Sequence, residues 1–257
     1  MLYIIGLPIT PSSITTEFIN FFNEDTQTIL ISSLGYDEDS FHLSNTYKNS
    51  TVGVDYLFNK SYTCCDITDL KEYTRKKHKL ILLLNILKHN VKVGSHNHSY
   101  KIYDAYLFLI KEFPDHRICY ITHGSPYYRD LICRDLIESQ IISIKVIDTL
   151  SSVDLSISEL KSKNKLPAMK IAPIELYNYD LIEDHINVYS SISSFYQHNV
   201  DKLIQKITND YVVYLIKLGY KTDIEQIDGE ELACMLETPV LRSTLDDKTV
   251  VVHRRIE

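Results

Sequence analysis

Glycine is scarce in this chain, seven in 257 residues, so each one that falls at a turn says something about the backbone there. The five cysteines, Cys64, Cys65, Cys119, Cys133 and Cys234, form no Cys-x-x-Cys pair, are odd in number and include two neighbours. That is a poor disulfide framework and points to a reducing compartment. Long apolar runs are missing: the richest, Leu80 to Leu87, is eight residues with Asn85 inside it, far short of a membrane span. The opening Met1-Leu2-Tyr3-Ile4-Ile5-Gly6 has no basic n-region and does not read as a signal peptide. Positive charge is in deficit, with 27 Lys and Arg against 34 Asp and Glu, which argues against a chain-wide affinity for nucleic-acid backbone. Neither Gly-x-Gly-x-x-Gly nor Gly-Lys-Ser/Thr occurs, so a Rossmann or P-loop assignment has no support. These absences describe a cytoplasmic protein with no membrane and no nucleic-acid partner.

What is present is an ample core. Hydrophobic residues make up 44% and aromatics 11% of the chain, which excludes intrinsic disorder. Leu2 to Ile5 is a short β-type run stopped by Gly6-Leu7-Pro8. A helix follows through Phe18, Phe21 and Phe22, with Ser12 or Ser13 as its cap, and then a second strand over Thr28 to Ser32. Gly35 to about Lys77 is polar and tyrosine-rich and yields no element, and Leu80 to His89 reads as a helix or a buried strand. Helical spacing recurs over Tyr100 to Phe113, and strands are expected at Arg117 to Thr122 and Ile141 to Ile147. Helices are expected at about Tyr128 to Ser139 and Val153 to Leu160. The polar, basic segment Lys161–Lys165, followed by Pro167, is the best linker. Beyond it, Lys170 to Tyr177, His185 to Ser191, Tyr211 to Lys217 and Lys248 to Arg254 read as strands. Helices separate them at Phe195 to Thr208 and Gly229 to Leu236. Two α/β domains are therefore expected, 1–165 and 166–257.

Two loops follow predicted strands directly: Gly6-Leu7-Pro8 and His123-Gly124-Ser125-Pro126. In open α/β sheets ligands bind at that carboxyl edge, and a glycine there lets a ligand approach the backbone. On pattern alone, Gly-Ser-Pro is equally an ordinary strand-to-helix turn.

Gly6 to Glu17 (GLPITPSSITTE), Tyr120 to Glu138 (YITHGSPYYRDLICRDLIE) and Ile144 to Pro167 resemble the tetrapyrrole methylase superfamily. Within it the likeness is greatest to the borosin peptide-backbone N-methyltransferases. Ser12 to Glu17 resembles their Ser-x-Ile-Thr-x-Glu segment, Gly124-Ser125-Pro126 their Gly-His-Pro loop, and Leu150 to Asp154 their Ile-Ser-Ala-Glu-Asp turn. Fainter likenesses run through Ile174-Glu175, Asn187 to Ser190, Tyr211 to Lys217 and Lys248 to Val252. Residues 36 to 95 match nothing.

The resemblance implies a two-domain α/β fold with a cofactor cleft between the domains, S-adenosylmethionine as cofactor and S-adenosylhomocysteine as product. Carried over residue by residue, the cofactor contacts are Gly6, Pro8, Gly124, Ser125, Tyr127, Tyr128, Ser151, Ser152, Ser190, Ile216 and Thr249. Pro8 departs from the family by lacking an N–H, and Ser125 stands where the family loop has His or Asp. Tyrosines around the substrate amide carry the family's chemistry, and the nearest equivalents here are Tyr100, Tyr103 and Tyr106, with Lys101 in the cationic role. His123 joins them at the loop mouth. Each has a plainer reading, because Tyr103 and Tyr106 share a helix face with Leu107 and Ile110, and a loop histidine often serves only the loop. His89, His96 and His98 lack an acidic or cysteine partner nearby, so no metal is expected. Lys76-Lys77-His78-Lys79, with Arg75 before it, is a cationic run that reads as a solvated face.

Three functions compete. The first is methylation of backbone amides in a precursor peptide supplied in trans, by a homodimer. The second is methylation of a tetrapyrrole or other small molecule, and the third a catalytically inactive binding or regulatory protein of the same fold.

Overall fold

The computed structural model describes residues 1–24, 27–32, 63–64, 78–82, 98–127, 131–174, 180–190, 192 and 197–256. They form two compact units, Met1–Leu150 and Ser151–Glu257.

The first unit is a parallel sheet. Its strands are β1 (Leu2–Leu7), β2 (Thr28–Ser32), β3 (Thr63–Cys64), β4 (His78–Leu82), β5 (Arg117–His123) and β6 (Ile144–Ile147), in spatial order β3-β4-β2-β5-β1-β6. Every adjoining pair is parallel. Parallel strands are buried on both faces, so they read as near-continuous apolar runs, and alternate residues serve opposite faces. Leu2 and Ile4 of β1, Ile29 and Ile31 of β2, and Ile118 and Tyr120 of β5 pack with Tyr106 and Leu109 of α2 (His98–Glu112) and Cys133 and Leu136 of α3 (Leu131–Ser139). On the other face Ile5, Leu7, Leu30, Cys119, Ile121 and Ile147 pack with Phe18, Phe21 and Phe22 of α1 (Thr16–Asn23). Each such buried side chain contributes roughly 1.5–3 kcal/mol of transfer free energy.

The cap of α1 differs from expectation. Thr15, not Ser12 or Ser13, accepts the Phe18 N–H, at 3.1 Å. The Ser13 hydroxyl is already used by the loop, and a short 3-10 turn over Pro11–Ser13 delays the helix.

The second unit is a mostly antiparallel sheet in the order β10-β9-β11-β8-β7. Its strands are β7 (Lys170–Ile174), β8 (His185–Ser190), β9 (Tyr211–Lys217), β10 (Asp223–Asp228) and β11 (Thr249–Arg254). Only β7 and β8 run parallel. One face carries Tyr189, Val213, Leu215, Val250 and Val252, packed with Val200 and Leu203 of α5 (Gln197–Lys206) and Leu232 and Leu236 of α6 (Gly229–Glu237). The helix α4 (Ser152–Ser162) contacts β8 and β11. That packing puts α4 in the second unit, so the division falls before it, at Leu150–Ser151, whereas the linker signal places it at 165.

Besides β3, two elements escape the sequence reading. β10 is an edge strand of sequence DIEQID whose polar residues hide the alternation, and only Ile227 in it is buried. α7 (Pro239–Ser243) is a single short turn with no buried residue. In the segment that matched nothing, the described part is β3 and the strand β4, and β4 resolves the helix-or-strand ambiguity over its own residues. His89 and His96 lie outside the described residues.

The turn before β8 depends on Asn187, whose side chain is fully buried. Its Oδ1 accepts the Ile182 N–H at 2.9 Å, and its Nδ2 donates to the carbonyls of Ile182 at 2.9 Å and His185 at 3.0 Å. Asn187→Ala removes three buried hydrogen bonds to the turn backbone, so urea unfolding is expected to register a loss of roughly 2–4 kcal/mol. Burial, as the leading cause, raises the phenols of Tyr106, Tyr189, Tyr211 and Tyr214 above their ordinary values. An acid with a raised folded value binds its proton more tightly when folded. Stability is therefore whole below the unfolded tyrosine value of about 10 and falls as pH rises through the folded values. A urea midpoint that drops on going above that pH checks the sign.

Candidate functional site

Three strand ends of the first unit converge at Gly6. Gly6 is in register with Thr122, and Ile5 with Ile147, which brings the ends of β5 and β6 to either side of β1. A Cβ on Gly6 would lie 2.5 Å from the Gly124 carbonyl oxygen, 2.8 Å from Pro126 Cδ and 2.9 Å from Thr149 Cγ2. The chain's own loops thus occupy the space that the missing side chain leaves. Gly6 acts as a packing glycine rather than as a point of ligand approach. Gly124 has φ +71°, the left-handed region that favours glycine, and its N–H donates to the Leu7 carbonyl at 3.0 Å.

Hydroxyls tie the rest. Ser13 Oγ accepts the N–H groups of Ile9 and Thr10 and donates to the Thr10 carbonyl at 2.8 Å. Thr149 Oγ1 donates to the Ser13 carbonyl at 2.7 Å, joining the end of β6 to the loop after β1. Ser125 Oγ donates to Asp148 Oδ1 at 2.7 Å, and the Tyr127 N–H lies 3.4 Å from Ser125 Oγ. Pro8, Gly124 and Ser125 are buried, while Tyr127, Asp148 and Leu150 are exposed.

In the second unit the assigned residues form a row. Thr249 of β11 is in register with Ser190 of β8 on one side and Ile216 of β9 on the other. The Ser152 hydroxyl, at the first position of α4, is 3.3 Å from that of Ser190. Residues 38 to 97 apart in sequence therefore meet across three strands and a helix start. Ser151 is the helix cap: its Oγ accepts the Asp154 N–H at 3.1 Å and donates to Asp154 Oδ2 at 2.7 Å.

The tyrosine assignment fares differently. Tyr106 belongs to the core between α2 and the sheet, and its hydroxyl accepts from the amino nitrogen of Met1 at 2.6 Å. Met1 precedes β1, whereas the loops lie past its other end, so Tyr106 stands at the opposite edge of the sheet. Burial, then Tyr103, raises its phenol above the ordinary value. Tyr106 thus packs in the core, as the plainer reading of its helix face has it, and the catalytic role that the resemblance implies for it does not fit a hydroxyl held at the sheet edge away from the loops. Tyr103 is partly buried one turn earlier. Tyr100 and Lys101 contribute backbone to α2 and His123 ends β5, but their side chains, like all of Tyr128, lie outside the described residues.

From the sequence, Ser13 has only the role of a possible helix cap, and Asp148 and Thr149 have none. For Asp148 the usable signal is the rule applied to the two glycine loops, namely a polar residue directly after a strand. Ser13 and Thr149 carry no local signal, because their partner groups are remote in sequence. No group of three or more potential metal ligands occurs among the described residues. No helix among them is long and apolar enough to cross a membrane.

No family model matches the sequence, and no curated protein does. Solved structures do match in fold. A cobalamin biosynthetic enzyme, cobalt precorrin-4 methyltransferase, is similar with a TM-score of 0.56 and 12% identity, over 98% of this chain and 93% of that one. Uroporphyrin-III-C-methyltransferase from Thermus thermophilus gives 0.55 and 14%, over 98% and 90%. Precorrin-6Y methylase from Archaeoglobus fulgidus gives 0.52 and 13%, over 100% and 98%. The fold is that of the tetrapyrrole methylases.

Gly6→Ala is expected to destabilise by about 3 kcal/mol, because two of its three close neighbours are a backbone carbonyl and a proline ring. Gly124→Ala should cost less, about 1–2 kcal/mol, since its nearest neighbour is the flexible end of Ile9 and backbone strain dominates. Denaturant midpoints of the two variants test the ranking.

Proposed function

We propose that the chain is an S-adenosylmethionine-dependent methyltransferase. The observation that carries this reading is agreement in fold over nearly the whole chain with proteins named as methyltransferases. The first unit's strand ends also suit a nucleoside: a carboxylate that only accepts hydrogen bonds, Asp148, stands with an exposed ring, Tyr127, and an exposed aliphatic side chain, Leu150. The Ser190–Thr249–Ile216 row of the second unit offers two hydroxyls beside an aliphatic side chain. The cofactor supplies a methyl group on a sulfonium. The chain's part is then to bind, align the acceptor and keep water away, and positioning alone supplies a large share of such a rate.

For the acceptor we propose backbone amides of a peptide supplied by a separate chain, acted on by a homodimer. Support comes from the likeness of Ser12 to Glu17 to the borosin loop. It also comes from charge: the segments Gly6–Pro8, Gly124–Tyr127 and Asp148–Leu150 contain no Lys or Arg, whereas a polycarboxylate macrocycle calls for several. A tetrapyrrole or other small-molecule acceptor is the second reading, favoured by the names of the structural neighbours.

Isothermal titration with S-adenosylmethionine and S-adenosylhomocysteine tests the cofactor. Micromolar binding is expected, about tenfold weaker in Tyr127→Ala, whose exposed position spares the core. Failure of cofactor-free, folded protein to bind either ligand refutes the methyltransferase and leaves the binding protein. For the acceptor, a short peptide encoded beside the gene should gain methyl groups on backbone nitrogen, located by tandem mass spectrometry. Methylation of uroporphyrinogen instead would select the second reading.

A further inference from the structure

We infer that Asp148 is the ligand-binding carboxylate of the first unit and that its Oδ2 accepts a hydrogen bond from a sugar hydroxyl of a nucleoside ligand. The inference rests on the proposed adenosyl cofactor and adds a residue that neither the sequence reading nor the structural neighbours assign.

Asp148 follows the last residue of β6, whose Ile147 is in register with Ile5, so the carboxylate stands beside Gly6 at the carboxyl edge of the sheet. Acidic residues at such strand ends take ribose hydroxyls in other α/β folds. Its orientation is set before any ligand arrives. Ser125 Oγ donates to Oδ1 at 2.7 Å and the Thr149 N–H donates to the same oxygen at 2.8 Å. Both donors are anchored: Ser125 is buried next to Gly124, and the Thr149 hydroxyl is bound to the Ser13 carbonyl. The rotamer freedom that binding would otherwise remove is therefore already lost in the free protein.

Oδ2 has no partner among the described residues, and Asp148 is exposed. An ionised carboxylate only accepts, so the ligand group it meets must donate. No group of acidic or other metal-ligating residues surrounds it among the described residues, so this is not a cation cage. The exposed neighbours are the Tyr127 ring and Leu150, surfaces suited to a flat, uncharged base. A donor that is a neutral hydroxyl on the sugar of a nucleoside satisfies both sides.

The test is calorimetric binding of S-adenosylhomocysteine and of its 2'-deoxy and 3'-deoxy forms. One deoxy form is expected to bind wild-type protein about tenfold more weakly, the size of a hydrogen bond to a charged group. Equal affinity for all three overturns the inference with no variant needed. Asp148→Asn keeps an oxygen for Ser125 and Thr149 and replaces Oδ2 with a donor. It should bind the parent ligand about tenfold more weakly and lose the distinction between ribose and deoxyribose. Unchanged affinity in Asp148→Asn, or a loss confined to charged S-adenosylmethionine, overturns it while the methyltransferase reading stands. Absence of all binding by the wild type refutes both.

Discussion

One steric constraint governs the carboxyl edge of the first unit: there is no room for a side chain at Gly6. The carbonyl of Gly124, the ring of Pro126 and the methyl of Thr149 close on that position from the ends of β5 and β6. Only with that space vacant do three parallel strands bring their following loops into mutual hydrogen-bonding range. The consequences chain outward. Gly124 N–H reaches Leu7, the Thr149 hydroxyl reaches Ser13, and Ser13 gathers the loop after β1 around its own oxygen. Backbone groups that leave a strand end need partners, and here the converging loops supply them for one another.

That accounting separates scaffold from surface more sharply than residue type does. Ser13, Ser125, Thr149 and Ser151 are all hydroxyl residues near strand ends or helix starts, and each spends its side chain on the fold. The hydroxyl of Tyr106 goes to Met1 at the far edge of the sheet. Asp148 is different, because both donors it receives converge on one of its two oxygens. That leaves Oδ2, at an open strand end, for the nucleoside hydroxyl that we propose it accepts from.

The likeness to solved methyltransferases runs over nearly the full chain at 12–14% identity. Such a gap is physically reasonable. A parallel sheet asks only for alternating apolar residues buried on both faces, and the second sheet for one alternation against its helices. Many sequences meet those demands, and backbone N–H and C=O groups at the loops do not depend on side-chain identity. Fold therefore persists where sequence comparison finds nothing, and chemistry must be argued from the groups at the site.

By itself the sequence determined what local physics writes. Leu2–Leu7, Arg117–His123 and Tyr211–Lys217 are apolar runs of strand length, and the helices over Thr16–Asn23 and Gly229–Glu237 carry their spacing openly. The two glycine loops were legible because each directly follows such a run. The second-unit residues Ser190, Ile216 and Thr249 were legible only through resemblance; their meeting side by side is a matter of strand register, which no local pattern encodes. Edge strand β10 was hidden by its acidic residues. Tyr106 and Asp148 show the limit most clearly. Helical spacing says that Tyr106 shares a face with Leu107 and Ile110, but not which edge of the sheet its hydroxyl reaches. Position says that Asp148 follows a strand, but only the folded chain brings Ser125 to one of its oxygens and leaves the other open. Tertiary structure decides such matters because hydrogen bonding depends on distance through space, and residues 23 or 136 apart in the chain are placed by the sheet alone.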